Sequence, residues 1–298
     1  MKKLFAQWAV CLLALNLLTA CGASAQVLPA QETSLIPEAG SPGPAAAVHY
    51  VVGTHTLENV SFDRDKTQLA HYRYDLPEMT AVRSDGTEIV LAQNGAEKEA
   101  VSKVETFNRR FEEWAEDSNF DDTVQAARED LARHRESGLT WLESYEEELS
   151  FSVWQTDHLV SIAANYYSYT GGAHPNTALL SWNFDLNTGK FVTPLLLAAD
   201  DQAFLDGVKE EIIRQAEETA RKNGYLPKEF YWENYADIAA EWNNYAVSFD
   251  GDGMKVGFSP YELASYAAGT QIFTIGYQTI SPWLSDSGRQ ELGLAAGQ

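Results

Sequence analysis

Glu148 to Thr170 reads ELSFSVWQTDHLVSIAANYYSYT, and its apolar residues alternate in the manner of a strand rather than recurring at helical spacing. Two such runs flank Thr156-Asp157-His158, so the stretch predicts an antiparallel hairpin turning there. TALLSWNFDLNTGKFVTP, Thr177 to Pro194, repeats the pattern with its turn at Asn187-Thr188-Gly189. Between the two lies the loop Gly171-Gly172-Ala173-His174-Pro175-Asn176. Its glycines suit a sharp reversal, because left-handed φ values cost glycine little. A turn, a ligand contact and an active site would all look alike at these residues, so the rest of the chain has to discriminate among them.

Working outward, VHYVVGTHTL and QLAHYRYDL read as strands. The second alternates Ala70, Tyr72, Tyr74 and Leu76 against Leu69, His71, Arg73 and Asp75, and Pro77 is expected to end it. Val101, Val104, Phe107, Phe111 and Trp114 recur at helical spacing and predict an amphipathic helix. Asp121 and Asp122 can cap a second helix carrying Val124, Ala127 and Leu131. A long helix from Asp201 to Lys222 turns Leu205, Val208, Ile212 and Ala216 inward and Glu210, Glu211, Glu217 and Glu218 outward. The chain closes with a hairpin through FDGDGMKVGF, the segment SPYELASYAAG, a strand QIFTIGY and a short helix near Pro282 to Ser285. Strand clusters joined by short hairpins and interrupted by helices argue for an α+β fold. Antiparallel sheets with helices packed on one side, in two lobes sharing a core, are expected, the lobes being residues 48–170 and 171–298.

The N-terminus reads MKKLFAQWAVCLLALNLLTACGAS: two lysines, an apolar run from Leu4 to Leu18, then Leu18-Thr19-Ala20-Cys21. This is the pattern of a secretory signal, residues 1–20, ending in a lipobox whose Cys21 thiol takes a lipid. The run is shorter than the about 20 residues that cross a bilayer, so the expected membrane contact is the lipid on Cys21 alone. Cys11 leaves with the signal, and no disulfide, cysteine nucleophile or thiolate metal site is then expected. Residues 21–47, rich in proline and without an aromatic side chain, cannot bury enough apolar surface to fold and read as a flexible tether. Its typical reach is about 30 Å. The expected location is extracytoplasmic and membrane-anchored.

The chain carries 43 acidic against 21 basic residues, a net charge of -22. Such a surface repels nucleic acid and anionic headgroups and favours basic partners or cations. Asp250-Gly251-Asp252-Gly253 lacks the glycine and glutamate that a calcium loop needs at its sixth and twelfth positions, which hold Lys255 and Tyr261, so it reads as a hairpin turn. None of the six histidines forms a helix-borne zinc pair; zinc assembled from distant residues stays open. No nucleophile elbow or phosphate-cradling glycine loop is present, and no cofactor is expected. Tyr166, Tyr167, Tyr169, Tyr231, Trp232, Tyr235, Trp242 and Tyr245 form two aromatic clusters that suit core packing, sugar stacking or a protein interface.

YTGGAHPNT, FDLNTGKFVTP and VGFSPYELASYAAG followed by FTIGY resemble, in that order, the extracytoplasmic domain pair of the lysozyme-sensing anti-sigma factors of the RsiV type, a pair also found before the catalytic domain of PdaC-type peptidoglycan deacetylases. The resemblance spans Val48 to Leu284. It implies a binding module, with lysozyme or another basic protein, or peptidoglycan, as partner. Only Met1 to Lys3 precede the apolar run, so no sigma-binding segment is expected, and after Gly293 no deacetylase domain. An envelope hydrolase with His174 as general base and a purely structural envelope lipoprotein are the alternatives. Candidate binding residues are Gly171, Gly172, His174, Asn176, Tyr261 and Glu262. His174 is read as structural first, since no acid or nucleophile is visibly paired with it, although Glu262 could meet it in space.

Overall fold

The computed structural model describes residues 48–118, 120–139 and 143–294. The expected signal, tether and Cys21 lie outside them. Nine strands and seven α-helices are described: β1 (His49–Phe62), β2 (Gln68–Val82), α1 (Gly95–Asp117), α2 (Phe120–Glu136), β3 (Tyr145–Gln155), β4 (Leu159–Tyr169), β5 (Asn176–Asp185), β6 (Lys190–Val192), α3 (Asp201–Lys222), α4 (Pro227–Phe230), α5 (Tyr235–Ala240), β7 (Ala246–Asp250), β8 (Gly253–Phe258), β9 (Gln271–Gly276), α6 (Tyr277–Ile280) and α7 (Asp286–Glu291). The architecture is α+β, as the alternating strand patterns imply.

β1 to β6 form one sheet in sequence order, and β7, β8 and β9 form a second. Every pairing is antiparallel except β2 with β3, which run parallel from Ala70↔Tyr145 to Tyr74↔Leu149. A hairpin cannot make a parallel pair; the chain must cross back to the same end of the sheet. Here α1 and α2 supply that crossover. Both predicted hairpins form, turning between Gln155 and Leu159 and between Asp185 and Lys190.

Pro77 does not end β2, which continues to Val82 with Pro77 opposite Thr54 of β1. Pairing with β3 stops at Tyr74, so the outer edge of β2 beyond it has no strand partner. On that edge Asn108 of α1 accepts from Met79 N at 2.7 Å and donates to Met79 O at 3.0 Å. Pro77, two residues earlier, presents its nitrogen to the same side, where a missing N–H removes no ladder bond.

Period two decides which face of the first sheet meets what. Val160, Ile162 and Ala164 of β4 with Trp182 and Phe184 of β5 pack on Phe107 and Phe111 of α1. The intervening positions face the second sheet. There Leu159 joins the core built by Phe204, Val208, Ile212, Ala216 and Ala220 of α3 with Val247, Val256 and Ile275. Trp154, stacked on Tyr277, and Val192 also pack against that core, and hydrogen bonds complete the seam. Val247 N donates to Ser181 Oγ and Phe249 N to Ser161 Oγ, each at 2.7 Å, while Asn183 Nδ2 donates to Val247 O at 2.8 Å. β7 is an edge strand, and three side chains thus satisfy backbone groups that a buried edge would otherwise leave unpaired. The two lobes share apolar contact through Leu159, Trp154 and Val192 and join through hydrogen bonds elsewhere.

The 170/171 division falls in the turn between β4 and β5, which pair with each other from Leu159↔Asp185 to Ser168↔Asn176. The first sheet continues to Val192. α3 has the predicted bounds, capped by Asp200, whose Oδ1 accepts from Ala203 N at 2.8 Å. Close packing on it rests on Gly207, where a Cβ would lie 2.3 Å from the Trp283 ring. Asp121 and Asp122 sit in the first turn of α2, where carboxylates complement the helix dipole. The expected helix near Pro282 is a 3-10 turn, Ser281–Trp283, followed by α7.

Candidate functional site

The β4–β5 loop brings His174 against the segment that follows β8. Gly171 and Gly172 have φ values of 84° and 100°, left-handed backbone that glycine adopts without a Cβ clash. At Gly171 a Cβ would also lie 3.0 Å from the Tyr145 hydroxyl. These two glycines are therefore explained by the turn itself.

His174 stacks on Tyr266, with ring centroids 3.7 Å apart and planes 18° from parallel. Its Nδ1 lies 3.0 Å from the carbonyl of Pro175, and its Nε2 lies 3.3 Å from the Tyr261 hydroxyl. A carbonyl can only accept, so Nδ1 carries a hydrogen, and in the neutral ring Nε2 then accepts from Tyr261. Glu262 does not meet His174. Its Oε2 accepts from Ser259 N at 2.5 Å, and burial pushes its carboxyl up against that bond. The turn after β8 holds Glu262 on its own backbone while the Tyr261 hydroxyl reaches His174. Asn176 opens β5 opposite Ser168 and is exposed.

Tyr261 is a non-glycine residue at positive φ, 73°, a conformation that is uncommon for an aromatic residue. Trp232 steadies it: the indole Nε1 donates to Tyr261 O at 3.0 Å. Half of the Tyr261 side-chain residue, 51%, remains exposed. Trp232, Tyr261, Tyr266 and His174 thus form a partly open aromatic wall.

Beside this wall is a cavity of about 300 Å³, lined by Glu143, Glu146, Tyr167, Tyr169 and His174 among others. The β3–β4 register places Glu146 opposite Tyr169 and Glu148 opposite Tyr167, so these four side chains share the sheet face turned towards the second lobe. Glu147, between them, points to the other face, where it is buried and accepts from Tyr74 and Thr123. The Tyr169 hydroxyl donates to Glu143 Oε2 at 2.8 Å. Burial pushes the Tyr167 hydroxyl above its ordinary range, and the charges of Glu146, Glu148 and Glu143 push it further. The field in the cavity is negative.

The predicted aromatic clusters separate by face. Tyr167 and Tyr169 line the cavity, whereas Tyr166 packs behind the sheet with its ring 5.7 Å from that of Trp114. Tyr231, Tyr235 and Trp242 are core residues of the second lobe. Tyr266, Glu143 and Glu146 carry no distinguishing signal in the sequence; only the register and the loop crossing make them neighbours. Among the described residues no group of three or more His, Cys, Asp or Glu side chains is placed to hold a metal ion.

Comparison with known families matches two successive regions of the chain. Residues 64–177 match the family model described as Deacetylase PdaC, and residues 197–278 match Protein of unknown function (DUF3298). The two matched regions stand in tandem. A crystal structure of a DUF3298 family member from Bacteroides fragilis is similar over 83% of this chain and 96% of its own, at 15% identity and a TM-score of 0.55. A DUF3298 family protein from Pseudomonas aeruginosa matches over 80% of this chain and 96% of its own, at 17% identity and a TM-score of 0.46. The first likeness supports the α+β fold. No curated protein matches the chain in sequence.

All the cavity residues lie in the PdaC match, while Tyr261 and Tyr266 lie in the DUF3298 match. The His174–Tyr266 stack therefore joins the two domains. Together the domains point to an extracytoplasmic module of the cell envelope. No helix among the described residues is long and apolar enough to cross a membrane.

Proposed function

We propose that this protein is a lipid-anchored binding protein of the cell envelope, held by a lipid on Cys21, whose partner is a basic wall hydrolase such as lysozyme. The reading is carried by one observation: where the two matched regions meet, the exposed rings of Tyr261 and Trp232 stand beside a cavity holding carboxylates. Aromatic rings supply the buried anchors on which protein interfaces depend. Carboxylates, on a chain of net charge -22, attract a basic partner over distance and raise its encounter rate. Exposed ion pairs themselves contribute only about 0–1 kcal/mol each, so affinity rests on the rings and association speed on the charge.

Binding of residues 48–298 to lysozyme, followed kinetically across a salt series, tests this. The on-rate is expected to fall steeply between low and physiological salt, with an off-rate that changes little. Absence of binding to several basic lysozymes at micromolar concentration removes lysozyme as the partner. Exposed Tyr261 and Trp232 also suit stacking on sugar rings, which favours wall glycan as a second reading; soluble peptidoglycan fragments that compete with lysozyme would support it. The hydrolase alternative places a general base at His174, where Nε2 faces the Tyr261 hydroxyl rather than a carboxylate.

A further inference from the structure

We propose that the cavity between the start of β3, the end of β4 and the 171–175 loop receives the guanidinium of an arginine side chain presented by the partner. The inference rests on the binding role above and names the chemistry that its acidic cavity recognises. At about 300 Å³ the cavity lies at the lower limit of small-molecule sites, which run from about 300 to 1,000 Å³. It has room for one side chain rather than for a glycan strand.

The lining selects the kind of side chain. Glu143 and Glu146 bring carboxylates, while Tyr167, Tyr169 and His174 bring flat rings. No lysine or arginine belongs to the described lining. Neighbouring side chains are committed elsewhere: Arg133 is paired with Asp130, and His71, beside Glu146 in the β2–β3 register, has its Nε2 3.0 Å from Glu58. The carboxylate charge at the cavity is thus not neutralised from within the chain by those groups. A guanidinium is planar, bonds carboxylates through paired N–H groups and stacks on aromatic faces. An ammonium offers a charge without the plane, and is more strongly hydrated. Rings and carboxylates on one sheet face therefore fit arginine best.

His174 supplies a reporter at the cavity wall. The full chain, in detergent micelles and labelled with carbon-13 at histidine Cε1, would be titrated with N-acetyl-arginine-N-methylamide and followed by NMR. The His174 signal, one of six histidine signals, is assigned by its loss in His174→Phe. A saturable His174 shift is expected with capped arginine. Capped citrulline, the neutral isostere, is expected to bind at least about tenfold more weakly, as loss of a charge-assisted hydrogen bond implies. Glu143→Gln/Glu146→Gln is expected to weaken capped arginine by a similar factor, with the signals of His49, His55 and His158, which lie away from the cavity, unmoved as proof that the variant folds. No His174 shift, equal binding of citrulline, or a double variant that folds and binds as before would each overturn the proposal. Lysozyme binding without capped-arginine binding would overturn this inference and leave the binding role standing. Capped-arginine binding without any lysozyme binding would support it and point to another basic partner.

Discussion

Asn183 of β5 donates its amide hydrogen to Val247 O at 2.8 Å and accepts from Ser161 Oγ at 2.8 Å. It is 5% exposed, so both bonds are shielded from water, and with Ser161 and Ser181 it holds the edge of the second sheet against the face of the first. Asn183→Leu keeps the bulk and removes both hydrogen bonds. The buried carbonyl of Val247 is then unsatisfied, at a cost of about 1–3 kcal/mol, and urea unfolding should show a lower midpoint with an unchanged slope. A variant as stable as the parent would mean that the seam depends on the apolar contacts of Leu159, Trp154 and Val192 instead.

His174 and Tyr266 give a second test. Loss of their stack in His174→Ala should cost about 0.5–1.5 kcal/mol, seen as a lower melting temperature. His174→Phe keeps a ring in place and should recover most of it. If His174→Ala melts like the parent yet loses partner binding, the residue serves the ligand rather than the join between the domains.

Glu291 of α7 sits beside the hairpin turns of the first sheet. Asn187 Nδ2 donates to its Oε1 at 2.6 Å, while Oε2 is buried without a hydrogen-bond partner among the described residues. Burial raises its carboxyl above the ordinary value of 4.5, and Asp185 adds to the rise. The native state therefore holds this proton more tightly than the unfolded chain does. Its stabilising contribution is full below about pH 4.5 and is lost as pH rises through the raised native value. Glu291→Gln removes that loss. The variant should be more stable than the parent at pH 7, by less than about 1 kcal/mol once screening of a partly exposed group is allowed for, and the gain should fade towards pH 4. Melting curves at both pH values check the sign.

Cys21 is proposed as the anchor. Cys21→Ser should leave an unlipidated precursor that retains residues 1–20, seen as a changed mass. An unchanged mass and partition of the mature protein would remove the lipid from the reading.

Local chemistry made much of the fold legible. Alternation from Glu148 to Pro194 determined two hairpins and their turns, the 3.6-residue period determined α1 and α3, and Gly171-Gly172 determined a left-handed reversal, because each of these depends on side chains close in sequence. Net charge and the order of motifs likewise determined the kind of partner worth testing. What only the tertiary structure decided involves residues far apart in the chain. The parallel β2–β3 pair depends on a crossover of two helices, and the persistence of β2 through Pro77 depends on which edge lacks a neighbour. Tyr266 and Tyr261, rather than Glu262, meet His174 because the turn after β8 holds the Glu262 carboxylate on Ser259 N and leaves both rings free to reach the loop, and nothing in its composition says which side faces the loop. The acidic cavity arises in the same way: Glu146 and Glu148 differ from the buried Glu147 only in register, and register is set by the sheet as a whole.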